Sequence, residues 1–458
     1  MLGGLRIKSG REPLSATLSR RLGTRDAALI VMGGIIGSGI FRNPSVVAQS
    51  LHASWAILGV WIAGGVVALL GAFVFAELAA RRPSDGGLYA YMRDAFHPFV
   101  AFAYGWTLLL VSQSGGMAAA ALTFAGYFSP LFGLHVAPTL LAFIVLALFT
   151  IVNCLGVRQG SGLQNIFMVL KIAAIAALVL VGFLANPAAS AAQPALSTGT
   201  TLSLLGAMAV SMIAVLFAYS GWQTSSFMTA ELKDPSRSLP RGILWGVCGV
   251  IVLYLLVNIV CLRVLGPAGL AHTNAPASDV LRAFMGPLGA RLIAALIALS
   301  TLGFLSNQIL VSPRVYHAMA EVGVFFSRLA WLHPTTRVPV IAIALQGAVA
   351  IVITFWKGYA QILNYVIGID YLFFALSAIA LFIFRARDRA SGAQRPSFTA
   401  PLPPLTTGIF LLVAIGVVVT SYVSSLPNAL VTLGLLVLAV PVYYAFTRAT
   451  SVSPNRRG

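Results

Sequence analysis

Charged residues are the scarcest class in this sequence. Asp, Glu, Lys and Arg make up only 9% of the 458 residues, whereas 59% are hydrophobic. A soluble globular domain has about 25% charged residues. The shortage therefore excludes a soluble protein, and together with a mean hydropathy of +0.92 it indicates a polytopic membrane protein.

Acidic residues are fewer still, since 11 Asp and Glu stand against 29 Lys and Arg, and the net charge is +18. Such a charge could indicate a nucleic-acid partner. In the predicted topology, however, all but five of the cations fall on the side that holds both termini; the five exceptions are Arg42, Arg263, Arg282, Arg291 and Lys357. The positive-inside rule then predicts cytoplasmic termini and a place in the cell (cytoplasmic) membrane. Contact with a lipid bilayer explains the charge, and no nucleic-acid partner is expected.

Cysteine and histidine do not form any metal or catalytic pattern. The three cysteines, Cys154, Cys248 and Cys261, fall within apolar segments at spacings typical of neither a disulfide framework nor a zinc site. The six histidines are scattered around the predicted ends of apolar segments. We therefore expect no cofactor and no metal, and the sequence does not indicate an enzyme.

Long apolar segments are abundant, and they predict an all-α membrane protein with twelve spans. The predicted spans are residues 27–48, 55–79, 98–128, 136–155, 163–184, 202–230, 242–265, 288–318, 338–356, 360–384, 405–424 and 427–446. We group spans one to five as 27–185, spans six to ten as 202–385, and the last two as 405–446. Residues 1–26 and 447–458 are predicted cytoplasmic tails, and the Arg-rich, then proline-rich segment 385–404 is the best internal boundary.

The first span contains a glycine-rich stretch, residues 33–41, with the sequence GGIIGSGIF. Glycine costs about 1 kcal/mol per residue in a helix interior relative to alanine, so a break at residues 37–39 is predicted. The sixth span has small and polar residues near its middle, at 217–222 (FAYSGW). Interrupted spans in matching positions of two inverted halves point to a transporter binding site. The alternative is close packing of unbroken helices through small residues.

Several stretches together resemble the amino acid–polyamine–organocation transporters, and the L-type amino-acid transporter branch in particular. They are residues 33–41, 76–78 (AEL), 83–91 (PSDGGLYAY), 121–125 (ALTFA), 217–222 and 231–237 (ELKDPSR). The resemblance covers nearly the whole chain. It implies a LeuT-type fold, with two inverted five-helix repeats followed by two extra helices.

A broken helix offers both complements of a free amino acid. Its outer half presents unpaired N–H groups to a carboxylate, and its inner half presents unpaired carbonyls to an ammonium. The N–H groups of Ser38 and Gly39, beside Gly37, are the predicted carboxylate ligands. The resemblance implies three carbonyls as ammonium ligands, those of Ile35, Phe217 and Ser220, the last next to Gly221.

Three further side chains near the breaks are candidates for the pocket. Phe217 resembles the aromatic residue that closes over the substrate in this branch; an ordinary core phenylalanine is the alternative. Trp222 and Gln223 follow the second break and could line the pocket, although Trp222 could instead pack between helices.

Two ionisable residues lie within predicted spans and are candidates for coupling or gating. Lys171, in span five, matches a lysine of sodium-independent family members and would occupy the place of a coupling cation; alternatively it snorkels to the interface. Asp370, in span ten, could transfer a proton, polarise a cationic substrate or form a hydrogen bond at a helix contact. Glu77 and Glu231, near the ends of spans two and six, are predicted structural or gating ion pairs with nearby Arg81, Arg82 and Lys233.

Small and polar residues of spans three and eight could border the substrate side chain, although small residues in membrane helices are more often packing contacts. They are Ser112, Gln113, Ser114, Gly115 and Gly116, with Ser300, Gly303, Ser306 and Asn307. We predict a sodium-independent transporter of neutral L-amino acids, and we expect it to work as an exchanger. A proton-coupled symporter and a carrier of cationic amino acids or polyamines are the alternatives.

The loop at 129–137 lacks the cysteine by which some family members bind an accessory glycoprotein, so no disulfide-linked subunit is expected.

Overall fold

The fold comes from a computed structural model that describes residues 23–83, 87–133, 135–155, 161–184, 201–223, 232–321, 323–336, 338–356 and 358–451. Within these ranges the elements are all helical. In chain order they are α1 (Thr24–Ile35), α2 (Gly39–Ser50), α3 (Ser54–Arg81), α4 (Leu88–Ala95), α5 (Pro98–Thr107), α6 (Gln113–Leu131), α7 (Pro138–Cys154), α8 (Ser161–Leu184), α9 (Thr201–Tyr219), α10 (Pro235–His272), α11 (Pro276–Val311), α12 (Pro313–Glu321), α13 (Val340–Trp356), α14 (Tyr359–Ala390), α15 (Pro403–Ser424) and α16 (Leu426–Ser451).

Many of these helices suit a membrane. Among the described residues, seven are long and apolar enough to cross one, or eight when the bent pair α1 and α2 counts as a single span. Shorter apolar helices lie at Pro138–Cys154, Val169–Leu184, Ser203–Tyr219 and Val340–Trp356, where spans four, five, six and nine are predicted. The chain is therefore a multi-pass membrane protein.

The predicted break in the first span is present. α1 ends at Ile35 and α2 begins at Gly39, with a bend of 43° between them. The chain leaves the helix at Ile36, whose ψ of 84° is not helical. Because α1 ends inside the protein, the hydrogen-bonding groups freed at Ile36 to Ser38 must find partners within it.

The sixth span is interrupted at the predicted place too. α9 ends at Tyr219, and Gly221 adopts a φ of +121°, a conformation that L side chains rarely reach. Gln223 stabilises this turn by accepting a hydrogen bond from the Gly221 N–H at 3.0 Å. Residues 224–230, predicted as the rest of this span, lie outside the described residues.

The third span contains a feature that the sequence analysis missed. A π-helical turn, Leu108–Ser112, separates α5 from α6, and the Gln113 N–H donates to the Leu108 carbonyl five residues before it. The Ser114 hydroxyl donates to the Leu109 carbonyl at 2.6 Å. A π-turn inserts one residue into a helix, so it changes which side chains of α6 share a face with those of α5.

The helices at spans seven and eight are longer than predicted. α10 continues past residue 265 after a non-helical Gly266, and α11 begins before residue 288, with a non-helical Gly286 inside it. Each glycine precedes a proline, and proline disfavours helical backbone in the residue before it. These two Gly-Pro pairs fold the connection between the spans into short helical pieces.

The helices pack in two main groups. In the first group, α1, α2 and α3 pack against α10, and α9 packs against α2 and α3, whereas α6, α7, α8, α11 and α13 form a second set of neighbours. α14 lies between the groups and contacts α3, α6, α9 and α15. The broken helices therefore belong to one group and face the other.

One end of the molecule is joined by an ion-pair network, the Glu77 network. The buried Glu77 carboxylate lies 2.7 Å from the Arg81 guanidinium and 2.5 Å from that of Arg385, and it also accepts from the Ala400 N–H. Asp388 binds Arg81 at 2.6 Å and Arg82 at 2.5 Å. This agrees with the prediction of an ion pair at Glu77, although Arg385 was not foreseen; Glu231 lies outside the described residues.

Candidate functional site

The two helix breaks touch each other. A Cβ atom added at Gly39 would lie 2.6 Å from the Ala218 Cα, and one added at Gly221 would overlap the Gly34 carbonyl oxygen. Only residues without a side chain permit these approaches. The glycines therefore allow the two broken spans to touch. The sequence left a helix break and close packing through small residues as alternatives, and in the structure both occur at the same place.

The outer half of the first span begins at this contact. Ser38 is the N-cap residue of α2, and its side chain makes no capping hydrogen bond. The first N–H groups of α2 consequently have no helical partner, and they lie at the positive end of the helix dipole. α2 is held in place by Asn43, whose side chain donates to the Ala214 carbonyl, and by the Tyr127 hydroxyl, which donates to the Phe41 carbonyl.

The inner half ends in carbonyl groups, not all of which are free. The Ile35 carbonyl accepts from the Gly37 N–H at 2.8 Å and from the Tyr254 hydroxyl at 3.1 Å. The Phe217 carbonyl accepts from the Ser220 N–H at 3.3 Å. An ammonium bound at Ile35 would therefore share or replace one of these hydrogen bonds.

A cavity of about 50 Å³ lies at the meeting of the breaks. A buried water needs roughly 10–15 Å³ measured in this way, so the space is that of a few water molecules. Eight of the nine predicted substrate-binding residues line it: Ile35, Gly37, Ser38, Gly39, Phe217, Ser220, Gly221 and Gln223. These eight predicted residues therefore lie around one space.

Trp222 is the ninth predicted residue, and it does not line this cavity. Its ring is 1% exposed and packs at 4.8 Å, between centroids, against both Phe75 and Phe374. In this structure Trp222 packs between helices, which is the second of the two roles that the sequence left open. The Trp222 ring therefore lies against Phe75 of α3 and Phe374 of α14, and not in the cavity lining.

Lys171 is buried and faces the helix bundle. Its Nζ donates to the Ile36 carbonyl at 3.1 Å and lies 5.8 Å from the centre of the Phe304 ring. The side chain is therefore not snorkelling to an interface; it binds a carbonyl that the break in the first span has freed. It stands behind the cavity rather than in its lining.

Asp370 lines the central cavity from α14 and is 9% exposed. The Ser112 hydroxyl is its hydrogen-bond partner. Among the described residues, no Lys or Arg lies within the 4.0 Å of an ion pair to it. A ligand in the cavity would therefore meet the Asp370 carboxyl, either as a negatively charged carboxylate or as a protonated acid.

Spans three and eight contribute to the cavity, but only partly through the predicted residues. Ser112, Gln113 and Gly116 line it, whereas Ser114 bonds to backbone and Gly115 packs against Val366. From α11 the lining residues are Phe304 and Gln308, instead of the four predicted: Ser300, Gly303, Ser306 and Asn307. The Gln308 side chain donates to that of Gln113 at 2.7 Å, which links the two spans across the cavity.

Phe304, Gln308, Gly34 and Val366 are lining residues that the sequence reasoning missed. Phe304 and Gln308 are four residues apart, so they share one face of a helix. A glutamine within an apolar span is a signal that could have found this face. Gly34 and Val366 have no comparable signal, because small and aliphatic residues occur throughout the spans.

A chain of many apolar helices, two of them broken and meeting at a small polar cavity, defines a multi-pass membrane transporter of a small polar molecule. A sequence profile for amino acid permeases matches residues 22–446. The chain therefore belongs to the amino acid permease family, within the amino acid–polyamine–organocation superfamily, and it is an amino-acid transporter rather than an enzyme. This confirms the family resemblance.

Similar curated proteins cover almost the whole chain. The "Serine/threonine exchanger SteT" of Bacillus subtilis is 27% identical over 436 residues, 94% of this chain and 98% of its own. The human "Large neutral amino acids transporter small subunit 2" is 30% identical, over 93% of this chain and 80% of its own. The rabbit (Oryctolagus cuniculus) "b(0,+)-type amino acid transporter 1" is 30% identical, over 82% and 78%. Because the human protein is named as a small subunit, the similarity does not support the expectation that this chain lacks an accessory subunit, which stays a prediction.

Proposed function

We propose that this chain exchanges neutral L-amino acids across the membrane, without sodium and by alternating access. The observation that carries the proposal is the contact between the two helix breaks at a cavity lined by N–H and carbonyl groups. A zwitterion needs both an anion site and a cation site within one small space, and the two breaks supply both without charged side chains.

In this mechanism the N–H groups of Ser38 and Gly39 bind the substrate carboxylate. The carbonyls of Ile35, Phe217 and Ser220 bind the ammonium, with Gly37 and Gly221 allowing the backbone to come close to the ligand. The Phe217 side chain closes over the substrate, and Gln223 holds the second break in shape through its bond to Gly221.

Sodium independence rests on Lys171. Its ammonium already binds the Ile36 carbonyl that the first break exposes, and it lies next to Phe304, which lines the cavity. The Lys171 ammonium would replace a coupling ion in this place, because it neutralises the negative end of the α1 dipole in every state of the transport cycle.

Alternating access is a movement of one helix group against the other. We propose the LeuT-type fold, with inverted repeats at 27–185 and 202–385, two extra helices at 405–446 and twelve spans in all. The packing of the broken helices with α3 and α10, facing a second group of helices across the cavity, supports this arrangement. Rocking of one group on the other would open the cavity to each side in turn.

The excess of Lys and Arg on one side supports cytoplasmic tails and a place in the cell (cytoplasmic) membrane. The Glu77 network would then lie at the cytoplasmic end. We also propose that no disulfide-linked subunit is needed, on the absence of cysteine from residues 129–137.

A second candidate function is favoured by Asp370. Its carboxyl lines the cavity without a cationic partner among the described residues. It could accept a proton that crosses with the substrate, or face the amine of a cationic amino acid or polyamine. The exchange of neutral substrates remains the first proposal, because a single acid is a weak site for an organic cation.

The test is exchange by purified protein in liposomes. Vesicles are loaded with labelled serine or labelled leucine, and efflux is followed while a panel of unlabelled amino acids is added outside, with and without sodium and a pH gradient. Protein carrying Gly39→Val, which fills the contact between the breaks, is the inactive control.

Efflux that neutral amino acids stimulate equally with and without sodium is the expected result. Stimulation that needs a pH gradient, or that only lysine or putrescine produces, would move the assignment to the second candidate. Absence of stimulation by every amino acid, in vesicles that remain sealed, would overturn both.

A further inference from the structure

A second and larger cavity, which we term the vestibule, lies on the far side of the breaks from the Glu77 network. Its volume is about 350 Å³, and it is open to solvent. The polar side chains that line it come from α2, from the link before α11 and from the start of α14: Arg42, Ser45, Gln49, Asn274, Tyr359 and Gln361. In a chain this apolar, a polar cavity of that size is suited to a polar ligand.

Arg42 is the charged residue of the vestibule. Its guanidinium lies 4.3 Å from the centre of the Tyr359 ring, and no described carboxylate lies within ion-pair distance of it. The nearby acid Asp279 is already engaged, by the Thr273 hydroxyl at 2.5 Å and the Arg282 guanidinium at 3.2 Å. The vestibule therefore presents a positive charge that the described part of the protein does not neutralise.

The remaining polar groups are neutral, and several are held in place. The Ser45 hydroxyl donates to the Thr273 carbonyl, and the Gln49 side chain donates to the Ala271 carbonyl at 3.3 Å. These bonds join α2 to the link before α11 and keep the wall of the vestibule fixed. The lining of the vestibule contains no Asp or Glu, so an anion at Arg42 would meet no negatively charged side chain there.

Tyr359 separates the vestibule from the central cavity. Its ring forms the floor beneath Arg42, while its hydroxyl donates to the Asn43 side chain at 2.9 Å and contacts the hydroxyls of Ser38 and Thr123. Ser38 is a proposed ligand of the substrate carboxylate, and Arg42 follows it by four residues, about 6 Å along a helix. One aromatic side chain thus stands between two groups that bind anions.

We propose that the vestibule is a second amino-acid site, in which the Arg42 guanidinium binds the substrate carboxylate before the substrate reaches the central cavity. The inference rests on the proposed function, since the ligand is the transported amino acid. A planar guanidinium binds a carboxylate through two parallel hydrogen bonds. That pair is stronger than the contact of Arg42 with the Tyr359 ring. The arriving carboxylate would therefore draw the guanidinium away from the ring, and the Tyr359 side chain would be free to move.

The test measures uptake of a labelled amino acid into intact bacterial cells that express the chain, where the substrate arrives from outside. Arg42→Gln is compared with Arg42→Lys and with Arg263→Gln, which removes an equal charge from an exposed position on α10. We expect Arg42→Gln to raise KM about tenfold, the worth of a charge-assisted hydrogen bond, with the maximal rate little changed. Arg42→Lys should give a smaller rise, and Arg263→Gln none.

A second arm uses a probe that can bind at Arg42 but cannot complete the central site. The N-acetyl derivative of the substrate keeps the carboxylate but has no ammonium for the carbonyls of the breaks. It should inhibit uptake by the wild type and by Arg263→Gln, and fail to inhibit Arg42→Gln; the amino-acid amide, which lacks the carboxylate, should inhibit neither.

Equal KM values in Arg42→Gln and Arg263→Gln, or equal inhibition of both by the N-acetyl probe, would overturn the vestibule site. A wild type that transports no amino acid would instead refute the proposed function, so the two failures are distinct. Should Arg42→Gln not reach the membrane, the Arg42→Lys variant and the N-acetyl probe on wild type still decide: no inhibition there also overturns the site.

Discussion

The Glu77 network and the central cavity treat charge in opposite ways. Glu77 is fully buried between two guanidinium groups and a backbone N–H, and Asp388 is bound by two arginines. At the cavity, Lys171 binds one carbonyl and Asp370 binds one hydroxyl. At the Glu77 network, carboxylates therefore pair with guanidinium groups. At the central cavity, the charged groups Lys171 and Asp370 have only neutral hydrogen-bond partners.

This difference indicates two roles. The Glu77 network fixes helices in place, whereas the groups at the central cavity can change their hydrogen-bond partners. Removing one member of a buried ion pair leaves an uncompensated charge, so the Glu77 network holds α3, α14 and the segment before α15 in one arrangement. A group that has only a neutral partner can accept a ligand in its place at less cost. The centre is therefore the part of the protein whose hydrogen bonds can change during a transport cycle.

The largest expected effect comes from Gly39→Val, which breaks the centre. The new side chain would meet the Ala218 backbone, so the two breaks could no longer touch. A displacement of about 1 Å at a binding geometry can cost 100-fold in rate, and we expect exchange in liposomes to fall at least that far. Gly59→Val, at a site with open space around it, should exchange normally. Normal substrate binding by Gly39→Val would contradict the proposed site.

The next effect comes from Glu77→Ala, which breaks the network. With the carboxylate gone, Arg385 and Arg81 would be left without their shared partner, and loss of one partner of a buried pair costs about 3–5 kcal/mol. We expect a clearly lower midpoint of thermal unfolding in detergent. Asp94→Ala removes an exposed pair with Arg93 and should cost about 0–1 kcal/mol. Equal unfolding midpoints of the two variants would show that the network does not fasten the helices.

Lys171→Ala is a smaller change that sharpens the comparison. It removes a charged hydrogen bond to the Ile36 carbonyl, and such a bond contributes about 1.5–3 kcal/mol. Exchange should fall about tenfold or more, at acidic as well as neutral pH. Leu170→Ala, at the exposed neighbouring position, serves as the control. Exchange by Lys171→Ala that matches wild type at every pH would remove the lysine from the mechanism.

Asp370→Asn should have the smallest effect on neutral substrates. The amide keeps a hydrogen-bonding group beside Ser112 and loses only the charge, so exchange of neutral amino acids should change by about fivefold or less. Uptake driven by a pH gradient, and any competition by lysine, should disappear in this variant. If neutral exchange itself is lost while the protein remains folded, Asp370 belongs to the neutral-substrate mechanism after all.

The sequence reveals the breaks better than it reveals their surroundings. Glycines at 37, 39 and 221 are costly in a helix, and so they are informative without a structure. The partner of Glu77 is not visible in the same way, because Arg385 lies 308 residues further along the chain. The cavity face of α11 was missed because small residues surround that helix on several sides, and only the register decides that Phe304 and Gln308 face inward.

The π-turn at Leu108–Ser112 amounts to one extra residue in the third span. Successive residues of an α-helix point about 100° apart, yet Ser112 and Gln113 are neighbours in the chain and both line the cavity. An inserted residue can also be taken out. Deletion of one residue from 108–111 would leave the composition of the span almost intact but rotate α6 relative to α5 by about 100°, so that Ser112 and Gln113 would turn away from the cavity together.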